Sequence, residues 1–220
     1  MPGGVADILQ GRSASGAPSV EDAREKTQED PTNAAGWREL ATALQADSKP
    51  DEAIAALERY TELKPQDQDA LRELAGLHLG KASRVQQELQ ILQLQQQFAN
   101  PGAEFAPPTT TPFGQAIGNA GPITEALTSR SSGRISELYS ELQAAYNAAK
   151  LNYASLANLD KQDASVQLQL ADAALNAGDS ASAIAAYKRF LVLAPDDPAA
   201  PAVREELKRL EAAASTPASG

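Results

Sequence analysis

The chain has 220 residues, a formal net charge of −10 and no cysteine. Its length allows one or two domains with real cores, and 42% apolar with 22% charged residues is an ordinary globular composition. No stretch is basic, which argues against nucleic acid as a partner and against anionic membrane surfaces. The lack of cysteine excludes disulfides, thiolate metal sites and a cysteine nucleophile.

The N-terminal region, residues 1–18, contains four glycines and two prolines, which predicts a flexible lead-in. It has no charged segment followed by an apolar core, as a signal peptide would. No apolar run reaches the roughly 20 residues that span a bilayer. We therefore expect no direct membrane insertion by this chain.

A short capping helix is predicted over residues 19–30. Ser19 is followed by Asp22 in a capping-box pattern, and Pro31 closes the helix. Its position before the first repeat indicates a cap on one end of a helical stack.

The spacing of apolar residues in 31–65 predicts two amphipathic helices joined by a turn at Lys49, Pro50 and Asp51. When Pro65 is aligned with Pro195, the apolar and small residues that precede the two prolines match in register. The matched inward positions of the first helix pair are Leu40, Ala41, Ala53, Leu57 and Tyr60. The chain is therefore built from a repeated helix pair.

This pattern resembles the tetratricopeptide repeat (TPR) family, in which helix A carries Trp, Leu and small residues and helix B carries Ala, an aromatic residue and a closing Pro. Trp37 occupies the tryptophan position and is expected to pack between the helices. The resemblance implies an all-α α-solenoid of helix-turn-helix repeats. Residues 31–80 and 147–213 form the predicted array of three repeats with a C-terminal capping helix.

The middle repeat is predicted to be split between its two helices. The residue pattern of its helix A begins one repeat period after that of the first helix A, as expected. In helix B, however, the same period counted from Ala53 reaches Gln87, where a small residue is expected. The alanine that fits this position is Ala149, one period before Ala183 of the last repeat. The extra residues between the two positions indicate an insertion.

Residues 81–146 form the predicted insertion, a helical hairpin with a long Pro/Gly/Thr-rich loop at 99–133. Apolar residues with helical spacing in both arms suit an antiparallel seam. They include Val85, Leu89, Leu92, Ile135 and Leu142.

The last helix and tail are predicted from composition. Val203, Leu207 and Leu210 give the final helix one apolar face, and its charged residues point outward. Residues 214–220 are predicted to be disordered.

No pattern for catalysis or cofactor binding is present. The single histidine, His78, lies at a helix A packing position, and metal sites and catalytic triads need several partners. We predict a non-enzyme with no cofactor and no metal.

TPR arrays bind extended peptides along a concave groove lined by helix A, so the resemblance implies a protein or peptide partner. By register the groove residues are Arg38, Thr42, Gln45, Arg72, Leu79, Leu168, Asp172 and Leu175. The asparagine of chaperone-clamping TPR domains is replaced by Thr42, Gly76 and Asp172, which argues against that clamp.

The sequence thus predicts a non-catalytic scaffold that binds a partner through the groove, the hairpin, or both. Reciprocal hairpin packing would make a homodimer. Two alternatives stay open: an assembly factor of a bacterial envelope complex whose membrane anchor is missing from this chain, and a regulatory subunit of a soluble enzyme. The first would place the chain in the extracytoplasmic part of a membrane-tethered bacterial protein, and the second would place it in the cytoplasm.

Overall fold

The computed structural model describes residues 19–99 and 122–215, so the predicted lead-in, most of the predicted loop and the last five residues lie outside the described residues. The described ranges contain helices and no strand, which confirms the all-α prediction. The helices are α1 Val20–Glu29, α2 Ala34–Ala46, α3 Pro50–Leu63, α4 Gln68–Ala99, α5 Pro122–Leu159, α6 Ala164–Asn176, α7 Ser180–Leu193 and α8 Ala200–Ser215.

Side-chain caps fix where four of the helices begin. Ser19 accepts a hydrogen bond from the Asp22 amide, and Asn33 accepts one from the Ala35 amide. Asp163 and Asp179 cap α6 and α7 in the same way. Each cap satisfies amide groups that have no partner inside their own helix, which typically stabilises a helix by about 1 kcal/mol.

The helices α2 and α6, which are the helix A segments of the first and third repeats, end in the same backbone turn. Ser48 and Gly178 adopt positive φ angles of 57° and 73°, and the residue after each donates its amide hydrogen bond to the carbonyl five residues earlier. This is a Schellman ending, in which one left-handed residue stops the helix. The residue of the middle repeat that is equivalent to Ser48 is Ala82. It is helical and fully buried, so α4 continues.

The described residues divide into two compact units. The first contains residues 19–79 and 146–215, and the second contains residues 80–99 and 122–145. In the first unit, alanines at equivalent helix positions are fully buried, which allows the helices to pack closely. These alanines are Ala41, Ala75 and Ala171 in helix A, and Ala53, Ala149 and Ala183 in helix B.

The second unit pairs the C-terminal part of α4 with the N-terminal part of α5. Leu138 is fully buried against Val85 and Leu89, with partly buried leucine and isoleucine side chains around them. At the edge of this seam, Arg134 forms an ion pair with Glu88 at 2.9 Å.

The predicted loop boundary at residue 133 is wrong. α5 begins at Pro122, so residues 122–133 are helical and continuous with the arm that follows. Proline suits the first turn of a helix, because its missing amide would have no partner there. Gly133 is exposed within the helix and costs only about 1 kcal/mol relative to alanine. At the other end, α8 reaches Ser215, two residues into the predicted tail.

Candidate partner-binding face

Three helix A segments carry the residues that the register assigned to the groove. These segments are α2, the part of α4 up to Leu79, and α6, all within the first unit. We call their shared row of equivalent residues the helix A face. It consists of Arg38, Arg72 and Leu168, then Thr42, Gly76 and Asp172, then Gln45, Leu79 and Leu175.

Glu73 ties two predicted groove residues together. Its carboxylate lies 2.6 Å from the Arg38 guanidinium and accepts a 2.6 Å hydrogen bond from the Gln45 amide. The Arg38 guanidinium also lies 5.7 Å from the centre of the Tyr60 ring, within cation–π range. Arg38 and Gln45 are therefore engaged in contacts within the fold.

Arg72 is held less tightly. Its nearest carboxylates belong to Asp163 at 3.6 Å and Asp69 at 3.7 Å, beyond hydrogen-bonding distance. Asp163 itself is occupied by the Ser165 hydroxyl and by amides at the start of α6, and these hydrogen bonds lower its pKa. The guanidinium of Arg72 thus keeps donor groups that a ligand can use.

Asp172 and Tyr187 form the polar pair of the third repeat. The Tyr187 hydroxyl donates a 2.7 Å hydrogen bond to Asp172 Oδ1. Burial of the tyrosine and this hydrogen bond raise the pKa of Tyr187 above its ordinary value. Asp172 is otherwise exposed, as is Thr42 at the equivalent position of the first repeat.

The three leucines of the face are half-buried. Leu168 and Leu175 pack against the core of the third repeat, and Leu79 packs against the core of the middle repeat. These three leucines therefore also contribute to internal packing. Each of them presents only part of its surface to a ligand.

Sequence reasoning missed the role of Glu73 and the hydrogen bond between Tyr60 and Asp67. Tyr60 donates a 2.5 Å hydrogen bond to Asp67, which also accepts from the Ala70 amide at the start of α4. The 28-residue spacing between Gln45 and Glu73 is the available sequence signal, because Arg24 and Glu52 bridge two helices at the same spacing. Without coordinates, that spacing does not distinguish a bridge from two exposed residues.

The described ranges bear on two other functions, metal binding and membrane insertion. Residues 19–99 and 122–215 contain no group of three histidine or acidic residues placed to hold a metal ion. His78 is 6% exposed and lies 3.5 Å from Glu58. No helix in these ranges combines the length and apolarity of a membrane span.

Comparison with known proteins gives structural neighbours alone. No protein-family profile and no curated protein matches the chain. MamA is 13% identical, with 86% of this chain and 89% of MamA covered and a TM-score of 0.28. YrrB, described as a TPR protein with an unusual peptide-binding site, is 12% identical, with coverages of 85% and 100% and a TM-score of 0.27.

A third neighbour, pilF of Pseudomonas aeruginosa, is 17% identical, with 87% of this chain and 84% of pilF covered and a TM-score of 0.25. Superpositions at these TM-scores are loose, so they add nothing to what the helix pairs show. The described residues have the helix pairing, the register and the buried small residues of a TPR-type α-solenoid.

Proposed function

We propose that this protein is a non-catalytic scaffold that holds an extended segment of a protein partner on the helix A face. The observation that carries the proposal is the row of equivalent side chains on three helix A segments. Its exposed members, Thr42, Gly76 and Asp172, stand in register between the other two rows of the face. A row of this kind offers an extended peptide one set of contacts per repeat.

The chemistry of the face supports peptide binding over catalysis. The face combines partly exposed leucine side chains with hydrogen-bonding groups, the mixture that fixes a peptide and its orientation. Arg38 and Gln45 are pre-positioned by Glu73, which reduces the entropy lost when a ligand binds.

The hairpin is a second candidate surface, for a second copy of this chain. Ile91 and Leu94 are 55% and 52% exposed, on the side of α4 away from the seam formed by Val85 and Leu89. Glutamines surround them, and an uncharged amide can both donate and accept. A surface that meets its own copy must be self-complementary, and amides satisfy that requirement where like charges would repel.

We also propose that the middle repeat is interrupted by residues 81–146. In support, Leu71 and Ala75 of α4 share one core with Ala149 and Tyr153 of α5, as helix A and helix B of one repeat would. The burial of Ala149 and Tyr153 matches that of Ala183 and Tyr187, the equivalent residues of the third repeat.

The test is site-specific photo-cross-linking in cells that make the protein. The photoreactive residue p-benzoylphenylalanine replaces Thr42 on the helix A face, Ile91 on the hairpin, or Ala55 as an exposed control on helix B. We expect adducts with a second protein at position 42 and none at position 55. Adducts of twice the chain mass at position 91 would support the dimer. Partner adducts at 91 with none at 42 would contradict groove binding.

A further inference from the structure

In the middle repeat, the helix B tyrosine lacks the helix A carboxylate partner that it has in the third repeat. In the third repeat, the helix B tyrosine, Tyr187, donates to the helix A carboxylate of Asp172. The equivalent pair in the middle repeat is Tyr153 and Gly76. Gly76 has no side chain, and a Cβ placed on it would have no heavy atom within 4 Å beyond its own surroundings in the helix. The first atom of a side chain at Gly76 would thus enter open space, called the vacancy below, and the equivalent position of the third repeat carries the Asp172 side chain.

The Tyr153 hydroxyl is left as a donor without an acceptor. Its ring is buried among Leu71, Ala75 and Leu156, and no side chain or backbone group of the described ranges hydrogen-bonds its hydroxyl. The enclosed polar atoms without a partner in those ranges are Arg38 Nη1 and Gln169 Oε1. The Tyr153 hydroxyl is not among these enclosed atoms, although Tyr153 as a whole is only 5% exposed.

Arg72 supplies positive charge at the same place. It lies four residues before Gly76 on α4, so the two positions share one face of the helix. The charge of Arg72 acts on Tyr153, opposing the rise that burial causes in the pKa of its hydroxyl. Arg72 therefore adds a cationic donor to the helix face that carries Gly76.

We propose that Gly76, Tyr153 and Arg72 form a subsite for an acidic side chain of the bound peptide, whose carboxylate takes the place that Asp172 occupies in the third repeat. The subsite rests on the proposed function of the helix A face. A carboxylate fits better than a neutral acceptor because Tyr153 and Arg72 both supply donors and hydrogen bonds between charged groups are the stronger ones. Glycine at position 76 is required for room, since any larger residue would enter the vacancy.

Selection of peptides on the full-length protein tests the subsite. The probe is a phage-displayed library of random twelve-residue peptides, followed by fluorescence anisotropy with synthetic copies of the selected sequences. We expect each selected peptide to contain an Asp or Glu whose change to Asn or Gln weakens binding at least tenfold. Tyr153→Phe should weaken the acidic peptide at least tenfold, the usual range for losing a hydrogen bond to a charged group.

The Asn- or Gln-containing copy should be indifferent to Tyr153→Phe. Tyr146→Phe, seven residues earlier on α5, is the matched control and should bind both copies as the unchanged protein does. Gly76→Asp gives the second readout. Its carboxylate should pair with Tyr153 as Asp172 pairs with Tyr187, so peptide binding should be lost while the melting temperature holds or rises.

Several results would overturn the subsite. Selected peptides without an acidic requirement would do so, as would acidic peptides that bind Tyr153→Phe or Gly76→Asp unchanged. Failure to select any peptide would also overturn it. The scaffold proposal would survive these results if position 42 still cross-links a protein partner, so the two proposals fail separately.

Discussion

At the scale of the residue, the turns that end helix A in the first and third repeats contain two equivalent residues that can be compared directly. Ser48 and Gly178 have nearly the same positive φ and the same hydrogen bonds, but glycine alone adopts this conformation without a steric cost. Two equivalent sites thus differ in one respect, the presence of a Cβ in a left-handed residue.

Ser48→Gly should stabilise the protein by about 0.5–1 kcal/mol, because removing the Cβ relieves a cost of roughly 1–2 kcal/mol while the unfolded chain gains some entropy. Gly178→Ser should destabilise it by a similar amount, since the space around Gly178 is open and only the backbone term changes. Urea unfolding of both variants measures the two free energies. Changes of the same sign would contradict this account.

The lowered pKa of Asp179 predicts that the stability of the fold depends on pH. Hydrogen bonds from Ser182 and the ion pair with Lys150 lower its pKa from the ordinary value of 3.8 to about 2. Its stabilising contribution is therefore complete above pH 3.8 and is lost as the pH falls towards 2. Because Asp179 is partly exposed, solvent screening limits this contribution to about 1 kcal/mol.

Asp179→Asn should lower the free energy of unfolding at pH 7 and have little effect near pH 2, since asparagine keeps the helix cap but not the charge. Denaturant unfolding at pH 7, 4, 3 and 2 measures the difference between the two proteins. The control is Ala185→Ser, an exposed substitution on α7 that changes no titratable group, and it should give a difference that does not change with pH. A constant difference for Asp179→Asn as well would show that the cap, not the charge, contributes.

At the scale of the element, the hairpin depends on one fully buried leucine. Leu138 closes the seam between α4 and α5, and its neighbour Tyr139 is 52% exposed. Replacing a buried leucine with alanine typically costs about 2–5 kcal/mol. We expect Leu138→Ala to raise amide hydrogen exchange strongly in residues 80–95 and 129–145.

Tyr139→Ala serves as the control for Leu138→Ala. The tyrosine makes only a long, 3.4 Å hydrogen bond with Gln93, so its loss should change exchange little. Equal exchange in the two variants would mean that the seam does not stabilise the hairpin.

The helices were largely predictable, and their junctions were not. Helical periodicity and cap residues such as Ser19 indicate where α1 to α3 lie, because both signals are local in sequence. The Pro/Gly/Thr-rich loop was predicted to reach residue 133, whereas α5 begins at Pro122, because a single glycine such as Gly133 costs too little to end a long helix.

For the candidate site, the sequence predicts which residues share a face but not which contacts they make. The register places Arg38 and Arg72 on one face. Arg38 forms a close ion pair with Glu73, whereas the carboxylates near Arg72 lie beyond hydrogen-bonding distance. Likewise, the pairing of Asp172 with Tyr187 and the lack of a partner for Tyr153 follow from packing between helices. These differences depend on three-dimensional contacts that a repeat alignment does not contain.

At the scale of the whole molecule, the split-repeat proposal predicts that the hairpin is dispensable for folding of the first unit. Its cores are formed by residues up to Leu79 and from Tyr146 onward. A chain in which residues 81–146 are replaced by Ala-Gly-Asp-Ser, the sequence of the third repeat's turn from Ala177 to Ser180, should remain helical and melt cooperatively.

Circular dichroism and calorimetry test the deletion. The control carries Pro in place of Gly in the new turn. Proline cannot adopt the positive φ that the turn requires, so this control should melt at a lower temperature. Loss of cooperative melting in the Ala-Gly-Asp-Ser chain would contradict the split repeat.

The turn between helix A and helix B has a consequence for protein engineering. In the proposed split repeat, the insertion begins next to Ala82, a helical residue at the position equivalent to the turn residues Ser48 and Gly178. Both of those turns are short connections of the kind that tolerates inserted domains. We therefore expect each of them to accept a grafted helical hairpin, so that one scaffold can display interchangeable arms from any of its repeats.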